Sequence, residues 1–138
     1  LPIRASYLSP SVLPCAYRKL SHARSIPTLA ACALLQGGSA KCWGNGDYGK
    51  LGYDSRTVVG DGGGWSTAMS ALGSVNLGVG RTALAITAGY KHTCAILDTH
   101  NVKCWGMGDD GQLGYDSETN VGDGDGTFTL VQPVVTDF

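Results

Sequence analysis

Apolar and polar positions alternate in short runs along this chain, and the runs come in pairs. Cys94-Ala95-Ile96-Leu97 and Val102-Lys103-Cys104-Trp105 flank Asp98-Thr99-His100-Asn101, which is turn material. That pattern predicts a β-hairpin. A second hairpin is predicted upstream, from Ala33, through a turn at Gln36-Gly37-Gly38-Ser39, to Trp43. Behind each hairpin lies a Gly-rich stretch, with Gly106, Gly108, Gly111 and Gly114 in the second case. Glycine at that density excludes a helix, because each costs about 1 kcal/mol against Ala. A compact loop with positive-φ corners is expected instead. Further strands are predicted at Leu72–Leu77 and Leu84–Thr87, and Leu130–Val135 would open another unit.

The two hairpin-plus-loop segments are copies. Ala31–Gly64 and Thr93–Gly126 align without a gap at an offset of about 62 residues, with about 21 of 34 positions identical. Cys-Ala-x-Leu (Cys94-Ala95-Ile96-Leu97 in the second copy), Lys-Cys-Trp-Gly, Leu-Gly-Tyr-Asp-Ser and Val-Gly-Asp-Gly carry the repeat. A period of this length with short strands points to a propeller blade or a β-solenoid. The copies differ at their entry: Gly89-Tyr90-Lys91-His92-Thr93-Cys94 stands against Pro27-Thr28-Leu29-Ala30-Ala31-Cys32, which puts the inner strand of the first unit in doubt.

Ala88–Leu97, then Val-Lys-Cys-Trp-Gly, then Gly111-Gln112-Leu113-Gly114 resembles the repeat of the regulator of chromosome condensation family, in its cysteine-bearing subgroup of secreted and surface proteins. Arg81–Ile86 and Gln132–Val135 resemble that family's connecting strands. The resemblance covers 31–138 and implies an all-β fold: blades of a seven-bladed β-propeller, here about two repeats of an incomplete ring. On this reading 31–92 is the first unit, and 93–138 is the second plus the start of a third. WD repeats are a poorer match, having a shorter period and a Gly-His…Trp-Asp signature absent here. Two units do not close such a ring, so the chain is expected to be a piece of a longer propeller or to need remaining blades or neighbouring subunits over its open edges.

Residues 1–30 match no part of the repeat. They carry four prolines, which oppose a helix of any length. All acids fall from Asp47 onward, which leaves the first 46 residues at about +5 and the rest at about −6. An irregular leader, a transit or signal segment, and a basic arm for an acidic partner all fit this composition. No run of eighteen apolar residues occurs, so no membrane span is predicted.

The five cysteines carry the strongest chemical signal. Cys32/Cys42 and Cys94/Cys104 are equally spaced, and a turn near Thr99 sets Cys94 opposite Cys104 across the hairpin. Each pair is a disulfide candidate; a pair of reduced cysteines acting as small hydrophobes is the alternative. Bridges would imply an oxidising compartment, hence a secreted or cell-surface protein, with organelle targeting through the leader as the other option. Cys15 is left over, as a free thiol or an intermolecular link. Metal is disfavoured, because the spacing is not C-x-x-C and no His accompanies both copies.

Other motifs fail their context. Gly44-x-Gly46-x-x-Gly49 and Gly106-x-Gly108-x-x-Gly111 satisfy the dinucleotide pattern, but no helix follows to hold a pyrophosphate. Asp123-Gly124-Asp125-Gly126 is similar to a calcium loop, but an EF-hand frame would put Val121 and Gln132 where carboxylates are needed. Asp123 and Asp125, with Asp116 and Glu118, are at most weak calcium candidates. No cofactor and no nucleic-acid partner is expected. His92 beside Thr93 reads as structural, no G-x-S-x-G elbow occurs, and a residue copied twice argues for architecture over catalysis. Photoreceptor relatives of the family cluster Trp where this chain has Tyr90, so light sensing is not supported.

The leading expectation is a non-enzymatic propeller module whose loops bind a protein or a carbohydrate. Tyr53, Asp54, Trp65, Tyr115, Asp116 and Glu118 are the candidate contact residues on those loops. Trp43 and Trp105 are expected in the core between blades. The alternative is exchange-factor activity on a small GTPase, as in the founding member of the resembled family.

Overall fold

The computed structural model describes residues 29–62 and 68–124. The expectations for residues 1–28 of the leader, Cys15, Trp65, Asp125 and the strand at 130–135 lie outside these residues, and the leader's last residue, Ala30, opens β1. The described chain is all-β: β1 (Ala30–Leu34), β2 (Ala40–Gly44), β3 (Ala83–Ala88), β4 (His92–Leu97) and β5 (Val102–Gly106). β1 and β2 form one antiparallel sheet, and β3-β4-β5 form a second; neither closes on itself. Two small open sheets of this kind are consistent with an incomplete propeller-like arrangement.

Both hairpins form where the alternation places them, and their turns follow from local chemistry. In the first, Leu35 N–H donates to Ser39 O at 2.8 Å while Gly37 and Gly38 take φ of 88° and 81°. Those angles favour glycine. In the second, Leu97 N–H donates to Asn101 O at 2.8 Å and His100 takes the left-handed corner at φ 66°. This register pairs Cys32 with Cys42 and Cys94 with Cys104. A disulfide joins each pair, with Cα atoms 4.1 Å apart in both. By the chain-entropy account, a loop this short yields about 2–3 kcal/mol per bridge.

The doubt over the first unit's inner strand is answered for the hairpin itself: β1 starts at Ala30 without the Gly-x-x-His-Thr entry. The strand expected at Leu72–Leu77 does not form. Leu72, Val75 and Leu77 are buried, a spacing that is not period two, and Val75 N–H to Ala40 O (2.8 Å) ties the segment to β2 as an irregular connection. The strand expected at 84–87 is β3, one residue longer at each end, with a register shift between Ala83 and Ala85.

β3 belongs by sequence to the 31–92 repeat, yet it pairs with β4 of the next hairpin. Its start bonds to both turns: Ala83 N–H donates to Gly38 O (2.7 Å), and Thr82 O accepts from Asp98 N–H (2.8 Å). The sheets are thereby coupled through backbone. Trp105, Leu51, Leu113 and Leu97 lie at the centre of one shared core. Trp105 is fully buried, whereas Trp43, expected to match it, is only half-buried. That difference originates in the loops.

Candidate functional site

After each hairpin the chain makes the same series of tight turns. Gly49 N–H donates to Gly46 O (3.0 Å) and Gly52 N–H to Gly49 O (2.9 Å); Gly111 to Gly108 (2.8 Å) and Gly114 to Gly111 (3.0 Å) repeat this. Gly44 bridges Val59, and Gly106 bridges Val121, which closes each loop at its base. A Cβ at Gly46 would strike the Thr57 carbonyl, and one at Gly108 would strike that of Thr119. The G-x-G-x-x-G spacing therefore serves loop closure by close backbone approach.

Many polar groups present in both copies are turned inward. The Tyr53 hydroxyl accepts from Cys42 N–H (3.1 Å) and donates to Gly73 O (3.3 Å). Tyr115 accepts from Cys104 N–H (3.2 Å) and donates to Cys104 O (2.8 Å). Burial raises the pKa of both phenols, opposed by these backbone bonds. Ser55 with Thr57 and Ser117 with Thr119 form matching hydroxyl pairs. Of the candidate contact residues, Tyr53 and Tyr115 are thus half-buried with hydroxyls committed to the hairpins. Asp54, Asp116 and Glu118 are exposed on the loops, and Trp65 lies outside the described residues.

Of the calcium candidates, Asp116, Glu118 and Asp123 are described, and Asp125 lies outside the described residues. The Asp123 side chain is 1% exposed and pairs with Arg56 Nη2 at 2.6 Å, with Asn120 Nδ2 at 3.4 Å. Its carboxylate faces a guanidinium. Among the described residues no group of three or more His, Cys, Asp or Glu is placed to hold a metal ion.

Sequence reasoning missed the joint between the units. The Lys50 carbonyl, at the tip of the first loop, accepts from Trp105 Nε1 (3.0 Å) and Thr93 Oγ1 (2.8 Å), both buried. Ser55 N–H donates to Gly122 O (3.1 Å). Lys50 itself is buried, which lowers its pKa; Asp47 opposes this and Lys91 adds to it. The available signal was at the strand entry, where His92-Thr93 stands against Ala30-Ala31.

A second missed feature sits at the rim of this joint. Lys91 Nζ lies 5.1 Å from the Tyr48 ring centroid and 5.9 Å from that of Tyr90. Tyr90 is 59% exposed. Tyr48 takes φ 61°, an uncommon conformation for a bulky side chain, and Asp110, its counterpart in the other loop, is not among the residues that do so. None of these three is repeated at the equivalent position.

Residues 84–112 match the model of the Regulator of chromosome condensation (RCC1) repeat. The match runs from within β3 through the second hairpin into its loop. The chain is similar to that repeat over this stretch.

Proposed function

We propose that this chain is a non-enzymatic repeat scaffold that presents its loop rim to a protein or carbohydrate partner. One observation carries the reading: many polar side chains kept in both copies serve structure, while an aromatic and cationic cluster, exposed Tyr90 with half-buried Tyr48 and Lys91, is found once. An exposed tyrosine beside a cation suits stacking on a sugar ring or packing against a peptide. Asp54 and, on the second loop, Asp116 and Glu118 are further exposed hydrogen-bond acceptors. The two disulfides support a secreted or cell-surface setting. No observation favours the exchange-factor alternative.

The test is capture of the disulfide-intact chain on immobilised glycans and extracellular proteins, beside a Tyr90→Ala/Lys91→Ala variant. Loss of capture by the variant, with an unchanged melting temperature, supports the rim. Equal capture by both, or none by either, refutes it.

A further inference from the structure

Three side chains meet where the first loop reaches the second unit, and the backbone under each is held. Tyr90 and Lys91 are the two central residues of the tight turn from β3 to β4, in which Gly89 N–H donates to His92 O at 2.7 Å. The Lys91 carbonyl accepts from Met107 N–H (2.9 Å), which ties this turn to the end of β5. On the first loop, Tyr48 lies inside the turn in which Gly49 N–H donates to Gly46 O (3.0 Å), and it keeps φ 61° there. Residues held at such angles cluster at ligand clamps and active sites. Lys91 Nζ is within cation–π reach of both phenol rings, and among the described residues no carboxylate forms an ion pair with it. Its charge is felt at Lys50, whose pKa is lowered by burial and further by Lys91, with Asp47 opposing. Two cations therefore share this joint, and the Tyr90 ring beside them faces solvent.

The geometry points to a subsite for an acidic saccharide, with a sugar ring stacked on Tyr90 and its carboxylate on the Lys91 ammonium. The inference rests on the scaffold reading and deepens it by naming the ligand class. An anion fits better than a cation, because Lys91 already supplies both rings with positive charge and a second cation would meet its like. A carboxylated pyranose brings a flat C–H face and an anion on one rigid ring, which matches one exposed phenol with an ammonium 5.9 Å from its centroid. An acidic peptide side chain brings the anion without the face. Tyr48, half-buried against the same ammonium, is a positioning residue. With all three backbones pinned, little ordering is left to oppose binding.

The test is titration calorimetry of the full chain, disulfides intact, with a short galacturonate oligomer, the same oligomer fully methyl-esterified, and a glutamate oligopeptide of equal charge. The acid form is expected to bind at least ~10-fold more tightly than the ester, and less tightly as salt rises. Lys91→Met should remove that ratio and Lys91→Arg should keep it, while Tyr90→Ala weakens both saccharides. All three variants are expected to melt close to wild type, since each changes a side chain at the surface of a turn whose backbone bonds remain. Four results would overturn the inference: equal binding of acid and ester, an acid preference untouched by Lys91→Met, a glutamate peptide bound as tightly as the galacturonate, or no binding of either saccharide. Equal binding of acid and ester, lost in Tyr90→Ala, leaves the rim reading standing, because that reading needs the ring and not the charge. The rim reading fails on a different result, capture indifferent to the Tyr90→Ala/Lys91→Ala pair.

Discussion

Trp105 and Trp43 occupy the same place in two copies of one unit and live in different surroundings. Trp105 is fully buried under the first loop, with its indole N–H on the Lys50 carbonyl. Trp43 stands half-buried in the wall of a groove. The hairpins beneath them have the same register and the same Cα separation across their disulfides. The contrast therefore comes from the neighbour and not from the unit. In this chain each hairpin closes on its own disulfide, and the second unit's tryptophan is sealed by the first unit's loop.

The strongest way to break the comparison is to crowd one loop and then its twin. Gly49→Ala drives a Cβ into the Gly122 carbonyl, which is backbone and yields little. Overpacking and left-handed strain together are expected to cost about 2–5 kcal/mol. Gly111→Ala meets nothing within 4 Å and incurs only the conformational strain, about 1–2 kcal/mol. Urea unfolding followed by Trp fluorescence measures both. Equal losses in the two variants would mean that the joint contributes nothing to stability.

The sequence made the units legible and left the joint hidden, for a physical reason. Hairpin periodicity and the spacing of Cys94 and Cys104 about Thr99 depend on local geometry, so they could be read from one stretch of chain. The acceptor at the joint is a main-chain carbonyl, which Lys50 shares with every other residue; only the donors, Trp105 and Thr93, have distinctive side chains. Tyr53 and Tyr115 look like loop residues, yet each stands eleven positions after a cysteine and bonds to that cysteine's N–H. The failed strand at Leu72–Leu77 misled because burial at 72, 75 and 77 follows the surfaces it packs on and not a ladder.

A milder break is Trp105→Phe against Trp43→Phe. The first keeps most of the ring volume and removes one of two donors to the buried Lys50 carbonyl, so a loss of about 1–2 kcal/mol is expected. The second removes an indole N–H from a groove wall and is expected to stay within about 0.5 kcal/mol. Thermal melts of the pair decide it. Equal costs would place Trp43 in an environment as closed as that of Trp105.

The smallest expected effect separates the same two units by pH. Burial raises the pKa of Tyr53 and Tyr115 above the ordinary value of 10.0 in the folded chain. Between the unfolded and folded values the native state binds more protons, so this stabilisation is complete below about pH 10 and is lost as pH rises through the folded values. Lys50 and Lys103 act in the opposite sense. Their folded pKa values lie below 10.5, so stability rises with pH from those values up to the unfolded one. Lys103 Nζ donates to the Leu77 carbonyl at 2.9 Å, and Lys50 lies at the joint. Urea midpoints taken from pH 8 to 11 are expected to climb and then fall. Tyr115→Phe should flatten the fall and Lys103→Met the climb, each beyond its constant offset from the lost hydrogen bond. An alkaline fall as steep in Tyr115→Phe as in wild type would show that this phenol does not titrate differently on folding.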